Sequence, residues 1–360
     1  MRTRNSRMAH LLSLPCCALL WAATAGAADV ATPAAAPLPQ VRIFTTGGTI
    51  QSRALSRDKM MEYSDGPKVE PAELVADLPE LKTIANVSYA EISNIGSGGI
   101  DTEKLLKLAK GINEWLAKPE AAGAVVTHGT ATLEETAYFL NLVVKSDKPV
   151  VVVGAMHPFS AISRDGPMNL YNAVRVAATP DASGKGVMVL LNDEISAARD
   201  VTKNNTYRVD TFVSRDLGPI GFADSDRIAF YRKSVKRHTN KSEFDVSKLS
   251  TLPKVDIAYG YQEADRAAVD ALIAKGAKGI VLDDSAASFA EAVKKGRAKG
   301  VVFVQSDRKG SGRVVLSDKS AERGVVTADN LNAQKSRVLL RLALTETSDP
   351  KEIQRIFSEY

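Results

Sequence analysis

The sequence predicts an α/β protein of two domains, the larger of which comes first and contains a mostly parallel, doubly wound sheet. Short, almost continuously apolar runs alternate with longer helical patterns, which is typical of parallel strands buried on both faces of a sheet. A polar segment at residues 232–254 interrupts this alternation, and a second, smaller α/β pattern follows it. A chain of 360 residues is long enough for one large or two moderate domains.

The first forty residues are interpreted as a leader that precedes the fold. Residues 1–27 combine a basic start, an apolar run at residues 11–23 and a small-residue end, which together predict a signal peptide cleaved after Ala27. Residues 28–40 are rich in alanine and proline and are predicted to form a disordered tether. We therefore expect a periplasmic or secreted protein without a membrane anchor.

Cleavage of this leader changes how the composition is interpreted. The full chain has 47 Lys and Arg against 42 Asp and Glu. The predicted signal peptide, residues 1–27, contains three of the arginines and no acidic residue, so its removal lowers the net charge from +5 to +2. Both cysteines, Cys16 and Cys17, leave with the leader, so no disulfide is expected. The nearly neutral mature chain gives no electrostatic reason to expect a nucleic acid or another polyanion as partner.

Residues 41–231 are predicted to form the N-terminal domain. Helices are predicted at residues 102–116, 133–143 and 168–177, and a capping box of Thr132 and Glu135 is expected to begin the second. The strands between them are predicted at residues 41–45, 87–92, 123–126, 149–154 and 187–191.

The polar segment at residues 232–254 is predicted to be a solvated linker. Its lysines and arginines follow Phe230 and Tyr231, so a nucleic-acid-binding stripe is the alternative interpretation. That alternative predicts binding with a steep dependence on salt.

Residues 255–360 are predicted to form the C-terminal domain. Its last helix is expected to begin with Asp349 as N-cap and with Glu352 completing a capping box. Asp283 and Asp284 are interpreted as solvated loop acids. The strands are predicted at residues 255–259, 279–282 and 301–305, and the helices at residues 264–275, 331–344 and 350–360.

Two loops at predicted strand ends contain the residues best suited to chemistry. Thr-Thr-Gly-Gly-Thr-Ile at residues 45–50 follows the first strand, where glycines allow backbone N–H groups to approach a ligand. Thr-His-Gly-Thr-Ala-Thr at residues 127–132 lies between a strand and a helix N-terminus, where a developing negative charge is stabilised. Considered alone, each loop could be a polar turn.

Together the two loops resemble the signature motifs of bacterial-type L-asparaginases and glutaminase-asparaginases of the exported type. Further segments match the same family, and the resemblance covers essentially all of residues 41–360. These segments lie at residues 154–158, 165–173, 199–203, 244–246, 329–344 and 347–350.

The resemblance implies hydrolysis of side-chain amides and assembly as a homotetramer or dimer. It implies that Thr49 is the nucleophile, that Tyr63 activates it, that Thr130 is a second catalytic threonine paired with Lys203, and that Ser97 contacts the substrate carboxylate. A threonine hydroxyl needs a neighbouring base, and backbone N–H groups near residues 48 and 130 could hold the oxyanion. No cofactor or metal is expected. His128, inside the second motif, is interpreted as a packed or hydrogen-bonded histidine.

The departures from the family pattern concern substrate binding more than bond chemistry. Ala131 stands where the family has an Asp that holds the α-ammonium group, and Gly98 stands where Gln or an acid is usual. We therefore expect weak activity on free asparagine or a preference for a ligand without that ammonium, unless Asp101 or Asp318 supplies the missing carboxylate. Other departures are His157 for an arginine, Ser317 for a glutamate, and the altered loop at residues 283–288.

One alternative from another functional class remains open. A catalytically weak or silent exported protein could use the same fold to capture a small ligand. The joint presence of Thr49, Tyr63, Thr130 and Lys203 favours the enzyme.

Overall fold

The computed structural model describes residues 37–63, 66–284 and 287–360. The predicted signal peptide and residues 28–36 lie outside the described residues, and residues 38–360 form one compact unit. Within the described residues, no helix is both long and apolar enough to cross a membrane.

The N-terminal domain contains a mixed sheet of eight strands. The five strands β2, β1, β3, β4 and β5 are parallel to one another and occupy one side of the sheet. The other three, β6, β9 and β10, are added by antiparallel pairing on the other side. The spatial order is β10-β9-β6-β5-β4-β3-β1-β2. The strands are β1 (Gln40–Gly47), β2 (Asn86–Ile95), β3 (Ala121–Thr127), β4 (Val150–Val153), β5 (Val187–Leu191), β6 (Glu194–Ala197), β9 (Gly221–Ala223) and β10 (Ile228–Phe230), while β7 (Thr202–Lys203) and β8 (Phe212–Val213) form a separate ribbon.

The C-terminal domain contains a second, smaller sheet whose four strands are all parallel. Each strand pairs with its neighbour in chain order, as in consecutive right-handed crossover units. This arrangement confirms the predicted class of a large and a small α/β domain. The strands are β11 (Val255–Tyr259), β12 (Gly279–Asp283), β13 (Val302–Ser306) and β14 (Val326–Thr327).

The helices cover the faces of the two sheets, and one continuous apolar core joins the domains. Val126 of the large sheet, Val281 of the small sheet and Leu339 belong to the same buried cluster. The described helices are α1 (Pro71–Ala76), α2 (Thr102–Leu116), α3 (Leu133–Val143), α4 (Gly166–Ala178), α5 (Ala267–Ala274), α6 (Phe289–Ala298), α7 (Asp318–Glu322), α8 (Ala333–Glu346) and α9 (Pro350–Glu359).

Two predicted capping boxes are wrong in their details. Thr132 is the N-cap residue of α3, but its hydroxyl donates to the carbonyl of Ser97 at 3.0 Å instead of capping the helix. Asp349 caps α9 as predicted, by accepting from the N–H of Lys351 at 3.1 Å. Glu352, however, pairs with Arg355 one turn further along. A tertiary partner replaces the local cap in α3, and an ion pair within the helix replaces it in α9.

The fold begins slightly before the predicted end of the leader, and the predicted linker is packed against the domains. Gln40 already belongs to β1, and the carbonyl of Pro39 accepts from the N–H of Asn86 at 2.9 Å, because the edge strand β2 extends this far. In the segment 232–254, Phe244 and Val246 are buried in the shared core, so this segment is not a solvated linker. Apolar residues spaced within a basic sequence anchor it to both domains.

Two basic side chains of that segment, those of Lys236 and Arg237, are held by contacts within the chain. Arg237 donates to Glu359 at 2.7 Å, and Lys236 donates to the carbonyl of Ser358 at 2.6 Å. These contacts occupy cations that a nucleic-acid-binding stripe would have to present to phosphates.

Candidate active site

The two signature loops meet through a contact between two glycines. β1 and β3 are parallel neighbours, so their carboxyl ends lie side by side. Gly48 follows β1 with φ of +85°, and a Cβ atom on it would lie 2.2 Å from the Cα atom of Gly129. Only glycine fits this position, because the backbone is left-handed and the opposite chain leaves no room. The contact places Thr49 and Thr130, the residues that follow the two glycines, on the same edge of the sheet.

Thr49 lies in the short 3-10 turn that follows Gly48. Its side chain is buried, and its hydroxyl donates to the phenol oxygen of Tyr63 at 2.9 Å. Tyr63 belongs to the segment between this turn and α1, where Gly66 donates its N–H to the Tyr63 carbonyl at 3.3 Å. The structure thus brings together the two residues that the family resemblance pairs.

Thr130 and Lys203 form a second hydroxyl–base pair. The ammonium nitrogen of Lys203, on β7, lies 2.8 Å from the hydroxyl oxygen of Thr130, which is itself buried. Partial burial lowers the pKa of Lys203 from its ordinary value, because desolvation penalises the charged amine. A lysine with a lowered pKa is better able to accept a proton near neutral pH.

Glu134 positions this lysine, and the sequence analysis did not identify it. Its buried carboxylate accepts from the backbone N–H of Lys203 at 3.1 Å and from Nδ2 of Asn332 at 3.1 Å. Asn332 is the N-cap of α8 and accepts from the N–H of Lys335 at 2.9 Å. The carboxylate of Glu134, on α3, therefore connects this helix to β7, which contains Lys203, and to the N-terminus of α8 in the C-terminal domain. Glutamate is rarely buried unless its carboxylate is paired, so a glutamate on the apolar face of the predicted helix could have indicated this role.

Gln51 is a second residue that the sequence analysis missed. Its amide oxygen accepts from the N–H of Gly47 at 3.0 Å and from the hydroxyl of Thr127 at 3.1 Å. Its amide nitrogen donates to the carbonyl of Val69 at 3.1 Å. Since these contacts reach both signature loops, Gln51 fixes the turn that carries Thr49.

Ser97 lies next to Thr130, on the turn after β2. A Cβ atom on Gly129 would lie 2.9 Å from the Cβ of Ser97, so the serine is in contact with the second signature loop. Its hydroxyl accepts from the N–H of Thr132 at 3.3 Å. Ala131, between these residues, is exposed and presents only a methyl group. All five predicted site residues are thus found around one edge of the large sheet.

Two backbone N–H groups are suited to hold an oxyanion. The N–H of Gly48 is occupied by the carbonyl of Ile95 at 2.9 Å, so this glycine is not a donor to a ligand. The N–H groups of Thr49 and Thr130 make no hydrogen bond with any part of the chain that the structure describes. They flank the Gly48–Gly129 contact and can stabilise negative charge on a substrate oxygen.

His128 is a packed histidine, as predicted. It is fully buried, its Nδ1 lies 2.9 Å from the carbonyl oxygen of Gly129, and its Nε2 lies 2.9 Å from the hydroxyl of Thr136. Burial lowers its pKa to about 4, so the ring is neutral near pH 7. It supports the backbone of the second loop.

The remaining acids lie elsewhere. Asp101 caps α2 by accepting from the N–H of Lys104 at 3.0 Å, and Asp318 is an exposed residue of α7. Asp283 is the last residue of β12 and is half-buried, and burial raises its pKa, so the interpretation as a solvated loop acid is wrong. Its neighbour Asp284 pairs with Arg308 at 3.2 Å. Among the described residues no group of His, Cys, Asp and Glu could hold a metal ion.

Comparisons with known proteins agree with this fold. The family models "Asparaginase, N-terminal" and "Glutaminase/Asparaginase C-terminal domain" match residues 40–236 and 254–357. "L-asparaginase 2" of Bacillus subtilis is 51% identical over 328 residues, covering 90% of this chain and 87% of that protein.

Two further relatives are named for different compartments. "Probable L-asparaginase periplasmic" of Haemophilus influenzae is 42% identical over 333 residues, covering 91% of this chain and 94% of that protein. The crystal structure of the probable cytoplasmic L-asparaginase of Campylobacter jejuni superposes with a TM-score of 0.87 at 44% identity, covering 89% of this chain and all of that one.

Proposed function

The chain belongs to the asparaginase family, and we propose that it is an amidohydrolase that converts the side-chain amide of L-asparagine, and also that of L-glutamine, into the acid and ammonia. The observation that carries this proposal is the presence of two buried threonine hydroxyls, each in a hydrogen bond with a potential base, on one sheet edge. The family relationship supports amide hydrolysis, and the roles proposed for the residues are those that the family resemblance implies.

In the first half of the proposed reaction, the hydroxyl oxygen of Thr49 attacks the amide carbon. The proton of that hydroxyl passes along its hydrogen bond to the oxygen of Tyr63 as the phenol gives up its own proton toward the leaving nitrogen. The carbonyl oxygen becomes negatively charged and is held by the N–H groups of Thr49 and Thr130. The carbon–nitrogen bond then breaks, the nitrogen takes up a proton and leaves as ammonia, and an ester on Thr49 remains.

In the second half, water replaces ammonia. A water molecule attacks the ester carbon, and its proton is taken up by Lys203 through the hydroxyl of Thr130, 2.8 Å away. The carbon–oxygen bond to Thr49 breaks, the threonine hydroxyl regains a proton, and the carboxylic acid leaves. Partial burial lowers the pKa of Lys203, a shift in the direction of the neutral amine that this step requires.

We further propose that the preference among amides is altered. The exposed methyl group of Ala131 cannot form an ion pair with the α-ammonium of a free amino acid, and Asp101 is committed to capping α2. Loss of one charge-assisted contact costs roughly 2–3 kcal/mol, which weakens binding of free asparagine by about 30- to 150-fold. An amide that lacks the ammonium loses nothing.

Steady-state release of ammonia tests this proposal. Asparagine, glutamine, N-acetylasparagine and succinamic acid are compared, and kcat/KM is expected to be higher for the last two relative to asparagine than it is in ordinary relatives. A kcat/KM for asparagine that equals that of the Bacillus subtilis relative in the same assay contradicts the altered preference. Turnover of none of the four favours the binding-protein alternative.

Replacement of the nucleophile separates an enzyme from a binding protein. Thr49→Ala is expected to lower kcat by at least about 1,000-fold, because no hydroxyl remains to form the ester. With hydroxylamine as the second substrate, the wild-type protein should yield the hydroxamate by capture of the acyl-enzyme. Full ammonia release by Thr49→Ala rules out the proposed ester.

Export and self-assembly complete the proposal. The predicted signal peptide favours the periplasm, and the names of relatives include both a periplasmic and a cytoplasmic protein, so the N-terminal sequence of the protein recovered from cells decides. We propose a homotetramer or dimer, which light scattering measures directly. The exposed apolar residues Val315 and Leu316 are available for such contacts.

A further inference from the structure

A second cavity adjoins the candidate active site at the turn that carries Ser97. It measures about 320 Å³, within the range of small-ligand sites, and is lined by residues of the N-terminus of α2, of α3 and of α8. Ser97 and Thr132 also line it. Thr49, Thr130 and Lys203, which the proposed hydrolysis uses for bond chemistry, do not line this cavity.

Two arginines of α8, Arg337 and Arg341, line this cavity and place two positive charges near each other. Arg337 donates from Nε to the carbonyl of Val255 at 2.8 Å, and Arg341 donates from Nε to the carbonyl of Pro253 at 3.2 Å and from Nη2 to the hydroxyl of Thr102 at 2.7 Å. These bonds fix both planar groups in place. In the described part of the chain, Nη2 of Arg337 and Nη1 of Arg341 make no hydrogen bond.

The charge balance of this wall favours an anion. Burial and the neighbouring Arg337 lower the pKa of Arg341 to about 10, which reflects two cations held close together in a poorly solvated place. Glu135 lies 3.9 Å from Arg337, and burial raises its pKa. A second carboxylate, Asp256, also acts on Arg341 and lies 3.9 Å from Lys254. Asp101 at the edge of the cavity is already paired with Lys104 at 2.7 Å. The three cations Arg337, Arg341 and Lys254 therefore face two carboxylates.

The rest of the lining determines which kind of anion fits. Leu105, Phe139, Leu252 and Val338 form an apolar floor opposite the arginines. An inorganic anion would gain nothing from this floor, whereas a short carbon chain buries its surface there. Arginine forks bind carboxylates with two parallel hydrogen bonds.

We propose that this cavity binds a small organic carboxylate, with Arg337 and Arg341 as its anion-binding residues. Amino-acid carboxylates such as aspartate and amine-free carboxylates such as succinate share this chemistry. Bound there, the carboxylate bridges α8 to the N-terminus of α2 and braces the turn that carries Ser97.

Calorimetric titration of the full mature protein with succinate, L-aspartate and inorganic phosphate tests the proposal without using turnover. Succinate is expected to bind, and phosphate at least about tenfold more weakly. Arg341→Gln and Arg337→Gln should each weaken succinate binding by about 10- to 100-fold, because each removes a charge-assisted contact. Aspartate is the product of the proposed hydrolysis and can also bind in the active site, so only the part of its binding that Arg341→Gln abolishes is assigned to this cavity.

Control variants separate this cavity from the active site and from general charge effects. Arg266→Gln removes an exposed arginine on α5 and should leave succinate binding unchanged, and Thr130→Val should leave it within about twofold. If Arg341→Gln does not fold, Arg341→Lys retains the charge and loses the planar fork, and is expected to bind about tenfold more weakly.

Hydrogen exchange locates the ligand. Succinate should slow exchange at residues 101–105 and 250–255 in the wild-type protein but not in Arg341→Gln, whereas any slowing at residues 46–52, caused by succinate bound as a product in the active site, should persist in Arg341→Gln. The proposal is overturned if succinate does not bind, if Arg341→Gln binds it as tightly as the wild type, or if phosphate binds equally well. Because no turnover is measured, failure here leaves the proposed amidohydrolase untouched.

Discussion

The carboxylate of Glu134 accepts a hydrogen bond of 3.1 Å from the backbone N–H of Lys203. The same lysine places its amine 2.8 Å from the hydroxyl of Thr130, four residues before Glu134 in the chain. The short segment from Thr130 to Glu134 therefore contains both the threonine and the carboxylate that holds Lys203. Because the two residues are so close in the chain, the lysine and the threonine cannot move independently. The short strand β7 also pairs with β8, where Lys203 lies opposite Phe212, so Glu134 is the side-chain anchor that links the lysine to α3.

Glu134→Ala is predicted to lower kcat by about 10- to 100-fold, because a displaced lysine no longer meets Thr130. Glu134→Gln retains one acceptor oxygen and should lose less. The measurement is ammonia release in Glu134→Ala, Lys203→Met and the double variant. The double variant should be no slower than Lys203→Met, since Glu134 acts through the lysine. Multiplicative losses would show that Glu134 acts elsewhere.

Gly48→Ala is predicted to lower the free energy of unfolding by more than about 3 kcal/mol, or to prevent folding. The new Cβ atom would lie 2.2 Å from the Cα of Gly129 on a backbone with φ of +85°. Gly96→Ala is the control, because Gly96 has φ of −64° and no heavy atom within 4 Å of a Cβ. Denaturant titration of both variants should show an effect of less than about 0.5 kcal/mol for Gly96→Ala. Equal stabilities would contradict the close contact.

His128 is predicted to make the protein sensitive to acid. Burial lowers its pKa to about 4 in the folded state, whereas an unfolded histidine titrates near its ordinary value of 6.5. Unfolding therefore takes up a proton between these values, and the free energy of unfolding should be full above pH 6.5 and fall by about 3 kcal/mol as the pH approaches 4. His128→Asn should lack this component, and its difference from the wild type should be constant above about pH 7. Parallel pH profiles down to pH 4 would refute the prediction.

Ala131→Asp is predicted to improve kcat/KM for free asparagine by about 10- to 100-fold, because the new carboxylate can pair with the α-ammonium. Ala131→Asn adds similar volume without charge and should give no such gain. Succinamic acid, which has no ammonium, should not benefit from Ala131→Asp. A gain that is equal in both variants, or equal for both amides, would show that charge recognition is not what Ala131 removed.

Elements with strong local patterns were predicted closely. Helices α2 and α3 and strands β5 and β11 have the predicted bounds, because apolar periodicity and continuous apolar runs leave little choice. The antiparallel strands β6, β9 and β10 were missed. They are three or four residues long, too short for a pattern, and depend on pairing with residues distant in the chain.

The sequence by itself determined the α/β class, the two domains and the candidate roles of Thr49, Tyr63, Thr130, Lys203 and Ser97. These depend on local periodicity and on motifs, both of which are written in consecutive residues. Only the tertiary structure decided that Thr132 bonds to Ser97 instead of capping its helix, that Glu134 holds Lys203, and that Arg337 and Arg341 share a cavity. The first two contacts join residues far apart in the chain, and the cavity brings the arginines of α8 together with residues of α2 and α3; long-range packing selects among partners that the local sequence leaves equivalent.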